Sequence, residues 1–184
     1  MSRPQEDGIV RFGNHISLKH VTTGRYLTSR EGENYEGGSG QQLTFTADGI
    51  QGEESTWIVI PPVITEEEAG YEVGFEDKVR LKHVPTRSNL HSHGIESPVT
   101  GQQEVSCFGD DENSDENDIW EILQYDEDDE RYDDFWRVDQ PVVLRHVETG
   151  RFLHSHPVSL SNGENEVTGF EGTDENNQWA VSFD

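Results

Sequence analysis

Three segments of this chain repeat one pattern at a fixed distance. They are Leu18-Lys-His-Val-Thr-Thr-Gly-Arg-Tyr-Leu27, Leu81-Lys-His-Val-Pro-Thr-Arg-Ser-Asn-Leu90 and Leu144-Arg-His-Val-Glu-Thr-Gly-Arg-Phe-Leu153, and Leu18, Leu81 and Leu144 stand 63 residues apart. A constant period marks one supersecondary unit used repeatedly, each too small to bury its own apolar face. Within a unit the order is constant. An apolar alternation such as Ile16-Ser-Leu18-Lys-His20 reads as a strand with one buried face. A tight turn follows, with glycine at Gly24 and Gly150. A second strand starts at Tyr26, Asn89 and Phe152, and a third covers Gln42–Phe45, Glu104–Phe108 and Glu166–Phe170. A polar turn then ends at Trp57, Trp120 or Trp179, where a fourth strand begins.

Four short strands taken three times, with no helical periodicity, predict an all-β fold, a β-trefoil. That fold closes six strands into a barrel and caps them with three hairpins, so no repeat keeps an exposed edge. A three-bladed propeller would be too small to close. The expected layout is a flexible tail over 1–8 and one domain over 9–184, with repeats near 9–71, 72–134 and 135–184. The connectors near 61–73 and 124–135 read as loops. Leu18, Leu81, Leu144, His20, His83, His146, Trp57, Trp120 and Trp179 recur in every repeat, which points to core and frame rather than to function. Trp136 stands outside this pattern after an acidic loop, so the expectation is an exposed stacking platform.

The chain has 184 residues, of which 38 are Asp or Glu against 13 Lys or Arg, for a net charge of −25. Such a surface repels nucleic-acid phosphates and anionic membranes. Low hydrophobicity with high charge is formally a signature of disorder, but the regular repeat and its patterned Trp, Phe and Leu residues require a packed core. One cysteine, Cys107, allows no internal disulfide. With no apolar leader or membrane-length run in the sequence, the expected address is the cytoplasm. Only three lysines accompany the acids, and an acidic, lysine-poor surface points to a salt-rich cytoplasm, as in a halophilic microbe.

The repeats resemble the MIR domain, the β-trefoil module shared by protein O-mannosyltransferases, inositol trisphosphate receptors and ryanodine receptors. The resemblance rests on Leu81-Lys-His-Val…Leu90-His-Ser-His93, Gly101-Gln-Gln103 and Asp115-Glu-Asn117…Trp120. It extends to Leu144-Arg-His-Val…Leu153-His-Ser-His156 and Asp174-Glu-Asn-Asn177…Trp179, and more loosely to Leu27-Thr-Ser-Arg30, Gly40-Gln-Gln42 and Trp57. Its details are most similar to the mannosyltransferase and stromal cell-derived factor 2-like branch. The resemblance implies a non-catalytic binding module for carbohydrate, or for a glycosylated or Ser/Thr-rich polypeptide. The alternative from a different class is a protein-interaction scaffold with no small ligand. Inositol phosphate, implied by the receptor branch, needs clustered Arg and Lys that this chain lacks; it is not an expected ligand.

The candidate binding residues are His91, Ser92, His93, Gln102 and Gln103 in repeat 2, with His154, Ser155 and His156 in repeat 3. Neutral His, Ser and Gln supply the mixed donors and acceptors that a polyhydroxylated ligand needs. Histidines two apart on a strand share a face and make half of a tetrahedral zinc site. No Cys or spaced acidic partner completes a ligand set, so neither metal nor cofactor is expected. The run Asp110–Asp118 has an acidic loop's composition but carries Asp115 where a calcium loop has its turn glycine. Its Asp and Asn residues are expected to close a turn on nearby amides. No nucleophile elbow or phosphate loop is present, and no enzyme activity is expected. At molar salt the screening length shrinks to about 3 Å, so KCl is expected to raise the melting temperature followed by circular dichroism. A melting curve that KCl leaves in place would remove the salt-rich reading.

Overall fold

The computed structural model describes residues 2–63 and 69–184; part of the 61–73 connector, residues 64–68, lies outside them. The strands are β1 (His15–Ile16), β2 (Leu18–His20), β3 (Tyr26–Asn34), β4 (Gln42–Ala47), β5 (Trp57–Ile60), β6 (Lys78–His83) and β7 (Asn89–Glu96), followed by β8 (Gln103–Phe108), β9 (Trp120–Gln124), β10 (Val142–His146), β11 (Phe152–Ser159), β12 (Asn165–Phe170) and β13 (Trp179–Val181). β1 and β2 are halves of one strand interrupted at Ser17. The antiparallel pairings run β1–β5, β5–β6, β6–β9, β9–β10, β10–β13 and β13–β2, which closes a ring of six strands. β3–β4, β7–β8 and β11–β12 form three hairpins. Their second strands pair cyclically, β4 with β8, β8 with β12 and β12 with β4. This is the β-trefoil that the repeat predicts.

The recurrent residues explain why the ring closes. Leu18, Leu81 and Leu144 are 0% exposed, as are Trp57, Trp120 and Trp179. Each indole N–H donates to a leucine carbonyl of its own repeat: Trp57 to Leu27 (3.0 Å), Trp120 to Leu90 (3.1 Å) and Trp179 to Leu153 (2.9 Å). The polar edge of each ring is thus satisfied while its body fills the core.

The repeated histidines do a different task, joining one repeat to the one before. The Nε2 of His83 lies 3.0 Å from the Glu54 carbonyl, that of His146 lies 2.8 Å from Asn117, and that of His20 lies 2.8 Å from Asn176. A carbonyl only accepts, so Nε2 carries the proton. Nδ1 then accepts from Thr86, Thr149 or Thr23, each 2.7 Å away. Each imidazole also packs against a tryptophan, Trp57, Trp120 or Trp179, with ring centroids 4.9 Å apart.

Trp136 corrects the sequence reading. It is 0% exposed and takes the position that Val10 and Val73 hold in the other repeats. The three backbones form a triangle at one end of the barrel: Val10 N–H donates to Trp136, Trp136 to Val73 and Val73 to Val10, each at 2.9 Å. The indole is held inside because its own backbone belongs to this ring. The preceding acidic loop does not carry it outward. Residues 2–8, expected as a tail, are tied to the body. Ser2 accepts the His15 N–H at 2.8 Å, and the Arg3 guanidinium lies 4.5 Å from the centre of the Phe183 ring.

The turns before the tryptophans fold as 3-10 helices, Gly52–Ser55, Glu116–Asp118 and Glu175–Asn177. Asp115 and Asp174 cap the second and third by accepting the Asn117 and Asn176 N–H groups at 2.9 Å. Asp110 accepts the Glu112 and Asn113 N–H groups at 2.8 and 2.9 Å, so the acidic run closes a turn on its own amides.

Burial lowers the pKa of His20, His83 and His146, partly opposed by their carbonyl partners. The unfolded chain therefore binds these protons first, and stability falls as the pH drops below about 6.5. The ordinary range of a carboxylate, near about 4, lies below this window. The urea midpoint is expected to be lower at about pH 5.5 than at about pH 7.5; an unchanged or rising midpoint would contradict the neutral-histidine frame.

Candidate functional site

The histidine, serine and glutamine residues singled out in the sequence gather on the hairpin cap. His91 and His93 meet edge to face with ring centroids 5.0 Å apart, and His154 and His156 do so at 5.1 Å. Each inner histidine is spoken for: Nδ1 of His91 lies 2.7 Å from Asp118, and Nδ1 of His154 lies 2.7 Å from Asn177. Repeat 1 places Thr28 and Ser55 at these positions, with their hydroxyls 2.8 Å apart. One buried polar pair thus recurs three times in three chemistries.

The serines and glutamines are cross-links. Ser92 and Ser155, both 0% exposed, donate to the Glu104 and Glu166 carbonyls at 2.7 and 2.8 Å. The Gln103 amide donates to Ser92 and to Thr149 of the next repeat, each at 2.8 Å. Gln102 accepts from Thr168 at 2.6 Å. Gln42 makes the same double contact, to Ser29 at 2.7 Å and to Thr86 at 3.2 Å. These side chains face protein, and the signal was the recurrence of the Gln-Gln pair in repeat 1. The same criterion that makes His20, His83 and His146 structural applies to Gln42 and Gln103.

The outer histidines face two carboxylates for which the sequence reading assigned no role. Glu104 and Glu166 are 0% exposed, whereas repeat 1 has Leu43 at that position. The hairpin loop of each preceding repeat satisfies them. Ser39 bonds to Glu104 through its hydroxyl and, at 3.1 Å, its N–H. Ser97 and Thr100 donate to Glu166, Thr100 at 2.7 Å, and His156 Nε2 lies 2.8 Å away. Burial pushes the Glu166 carboxyl up, but these hydrogen bonds outweigh it and leave the group below its usual value. His93 stops 3.8 Å from Glu104, and burial lowers its pKa. At the third junction the position of the carboxylate is apolar: Leu160 lies in a cluster with Tyr35, Leu43 and Phe45, and an ion pair between Arg25 and Glu164 stands beside it.

An open, mixed cleft lies where repeats 2 and 3 meet. It encloses about 480 Å³ and is lined by Tyr125, Tyr132, Asp126, Asp139, Gln140 and Gln178, among others. Tyr125 is 41% exposed. Tyr132 is fixed by donating to the Pro141 carbonyl at 2.7 Å and by an edge contact with Phe75 at 5.9 Å between centroids. Asp139 is held at φ 64° by donating its N–H to Val181 at 2.8 Å. Gln140 keeps a shielded amide oxygen with no partner among the described residues. Asp129, at the base of the loop, pairs with Arg131 at 2.6 Å, which holds its carboxyl at about 2. The sequence reading took this stretch only as a solvated connector.

The MIR domain family model matches residues 34–181, which include most of the ring and all three hairpin strands β4, β8 and β12. The chain belongs to the MIR-domain family. Among MIR-containing relatives, a stromal cell-derived factor 2-like protein of Arabidopsis thaliana is 38% identical over 94% of this chain and 78% of its own length. Stromal cell-derived factor 2 of Homo sapiens is 31% identical over 94% of this chain and 79% of its own. The crystal structure of the SDF2-like protein from Arabidopsis thaliana superimposes with a TM-score of 0.87 at 37% identity, covering 95% of this chain and 94% of that one. A protein O-mannosyltransferase complex of S. cerevisiae, solved bound to its sugar donor, gives 0.83 at 30% identity, with this MIR domain spanning 95% of itself but 25% of that chain.

The alternation of Leu43, Glu104 and Glu166 at one MIR position gives a test of the cap. Glu166→Leu alone leaves Ser97, Thr100 and His156 without their acceptor and should cost about 1–3 kcal/mol. Adding Ser97→Leu copies the Leu43–Leu160 junction and should recover part of the loss. Urea titrations of both variants measure this, and a double variant no better than the single would refute the junction's interchangeability.

Proposed function

We propose that the chain is a non-catalytic binding module for carbohydrate, or for the glycosylated segment of a polypeptide, and that the ligand enters the cleft between repeats 2 and 3. The observation that carries the reading is the cleft's mixed wall. Tyr125 and Tyr132 offer ring faces, while Asp126, Asp139, Gln140 and Gln178 offer planar acceptors and donors around them. A sugar presents apolar C–H faces ringed by hydroxyls that both give and accept hydrogen bonds, and this combination answers both demands. The hairpin-cap residues His91, Ser92, Gln102, Gln103, His154 and Ser155 are committed to internal bonds. The accessible edges of His93 and His156 remain a secondary contact area.

One observation in line with a non-catalytic module concerns the single cysteine. Cys107 is 2% exposed, and burial pushes its thiol up to about 12, so it stays protonated at neutral pH. Among the described residues no helix is long and apolar enough to cross a membrane. Kinship with a mannosyltransferase complex bound to its sugar donor supports sugar chemistry as the setting, while this chain corresponds to a quarter of that protein.

A panel of mannose-containing glycans and a Ser/Thr-rich peptide, titrated into labelled protein in about 2 M KCl to screen surface charge, tests the reading by two-dimensional NMR. Shifts are expected at Tyr125, Tyr132, Gln140 and Gln178 with a glycan. Tyr125→Ala should weaken binding up to about tenfold, the upper range for one aromatic contact. Shifts confined to His93, Gln102, Gln103 and His156 would move the site to the hairpin cap. No response to any glycan would overturn the carbohydrate reading.

A further inference from the structure

We propose that repeat 2 carries a site for one divalent cation of the zinc class, built from His91, Asp115, Asp118 and Asn89. Each of the first three offers a ligand atom, and these atoms lie within 4.8 Å of one another. His91 Nδ1 is 2.7 Å from Asp118 and 3.8 Å from Asp115. His91 sits on β7, whereas Asp115 caps the 3-10 turn Glu116–Asp118 and Asp118 is its last residue. The fold therefore assembles a ligand set that no local spacing reveals.

Two further observations point to a cation. Asp118 is a carboxylate with a side chain 1% exposed, yet besides His91 its partners are neutral donors: Ser114 Oγ at 2.7 Å, the Asp115 N–H at 3.0 Å and Asn89 Nδ2 at 3.3 Å. Arg80 reaches it only through Ser114, to which it donates at 2.9 Å. Buried charges are ordinarily paired directly or bound to metal. Asn89 is 0% exposed and its Oδ1 has no partner among the described residues. A half-turn of that carboxamide exchanges its two ends and presents the oxygen to a cation seated beside Asp118.

Comparison of the repeats shows that the frame does not require this charge. Repeat 3 has Phe152, His154, Asp174 and Asn177 at the four positions, and repeat 1 has Tyr26, Thr28, Gly52 and Ser55. Asn177 makes the same 2.7 Å bond to its histidine as Asp118 does. Repeat 2 alone joins an imidazole, two carboxylates and a carboxamide. Solvent reaches the group on one side, because the Asp115 side chain is 45% exposed and lines a depression of about 280 Å³ with Phe108, Glu112 and Ser114. One imidazole nitrogen with carboxylate oxygens suits Zn²⁺ or Co²⁺ better than the all-oxygen shell of Ca²⁺. The metal takes Nδ1 of the neutral ring, the proton that Nδ1 donates toward Asp118 leaves that nitrogen for solvent, and Nε2 takes one from solvent, so the imidazole keeps a single proton throughout.

Calorimetric titration of the full chain with ZnCl2 tests the site, together with the nitrogen resonances of the histidine rings. One Zn²⁺ per chain is expected, with a shift of His91 Nδ1 that His154 does not share. Asp118→Asn copies repeat 3 and should leave the melting curve near that of the parent while weakening Zn²⁺ at least tenfold. Asp128→Asn, in the exposed loop, should change nothing. Zn²⁺ uptake that Asp118→Asn leaves within about twofold would identify diffuse binding by the acidic surface and overturn the proposal. So would equal shifts of His91 and His154, or no uptake.

Discussion

The neutral imidazole between repeats is the contact on which this structure depends. A lone repeat has a Trp, a Leu and a strand pair, but its turn carbonyl before the tryptophan has no donor until the next repeat brings a histidine to it. That carbonyl belongs to Glu54, Asn117 or Asn176, and the ring that answers it packs on the tryptophan immediately following. Hydrogen bond, aromatic contact and strand pairing therefore form together or not at all. The arrangement also requires the ring to stay uncharged, since an imidazolium there would be desolvated with its Nδ1 facing a hydroxyl already oriented to donate.

Around this constant frame the repeats differ in what they place at the hairpin cap. The junction from repeat 3 to repeat 1 places Leu160 and Leu43 where the other two hold the buried carboxylates Glu104 and Glu166 against serine and threonine hydroxyls. The inner pair varies likewise, from Thr28–Ser55 to His91–Asp118 to His154–Asn177. Symmetry supplies three equivalent places, and each is free to carry different chemistry provided its polar atoms are satisfied. This is how a module with one architecture acquires local specialisation.

The frame was legible because it is periodic. The spacing of Leu18, Leu81 and Leu144 carried the fold, the core tryptophans and the structural role of the histidines. Two things were not legible. Trp136 was misread because its equivalents are Val10 and Val73, so recurrence of position was masked by a change of residue type. The cleft at Tyr125 and Tyr132 lies in a connector whose counterpart near 61–73 has Pro62 and Ala69 at those positions, so the tyrosines do not recur, and an acidic run looks the same whether it is solvated or folded into a wall. The glutamines were legible in principle, because Gln42 repeats Gln103 and both make the same double contact. Contacts between distant segments, such as Asp118 with His91, leave no local trace at all.

The closed ring has a consequence for how the chain comes into being. The strand that begins the barrel, Leu18–His20, pairs with the strand that ends it, Trp179–Val181. The backbone triangle likewise joins Val10 to Trp136. A ribosome releasing this chain from its N-terminus leaves the first repeat with an unpaired apolar edge until the last strand has emerged. Folding of such non-local topology is slow by nature, and the exposed edge invites pairing with other chains meanwhile. Like charge opposes such pairing, because a chain of net charge −25 repels copies of itself.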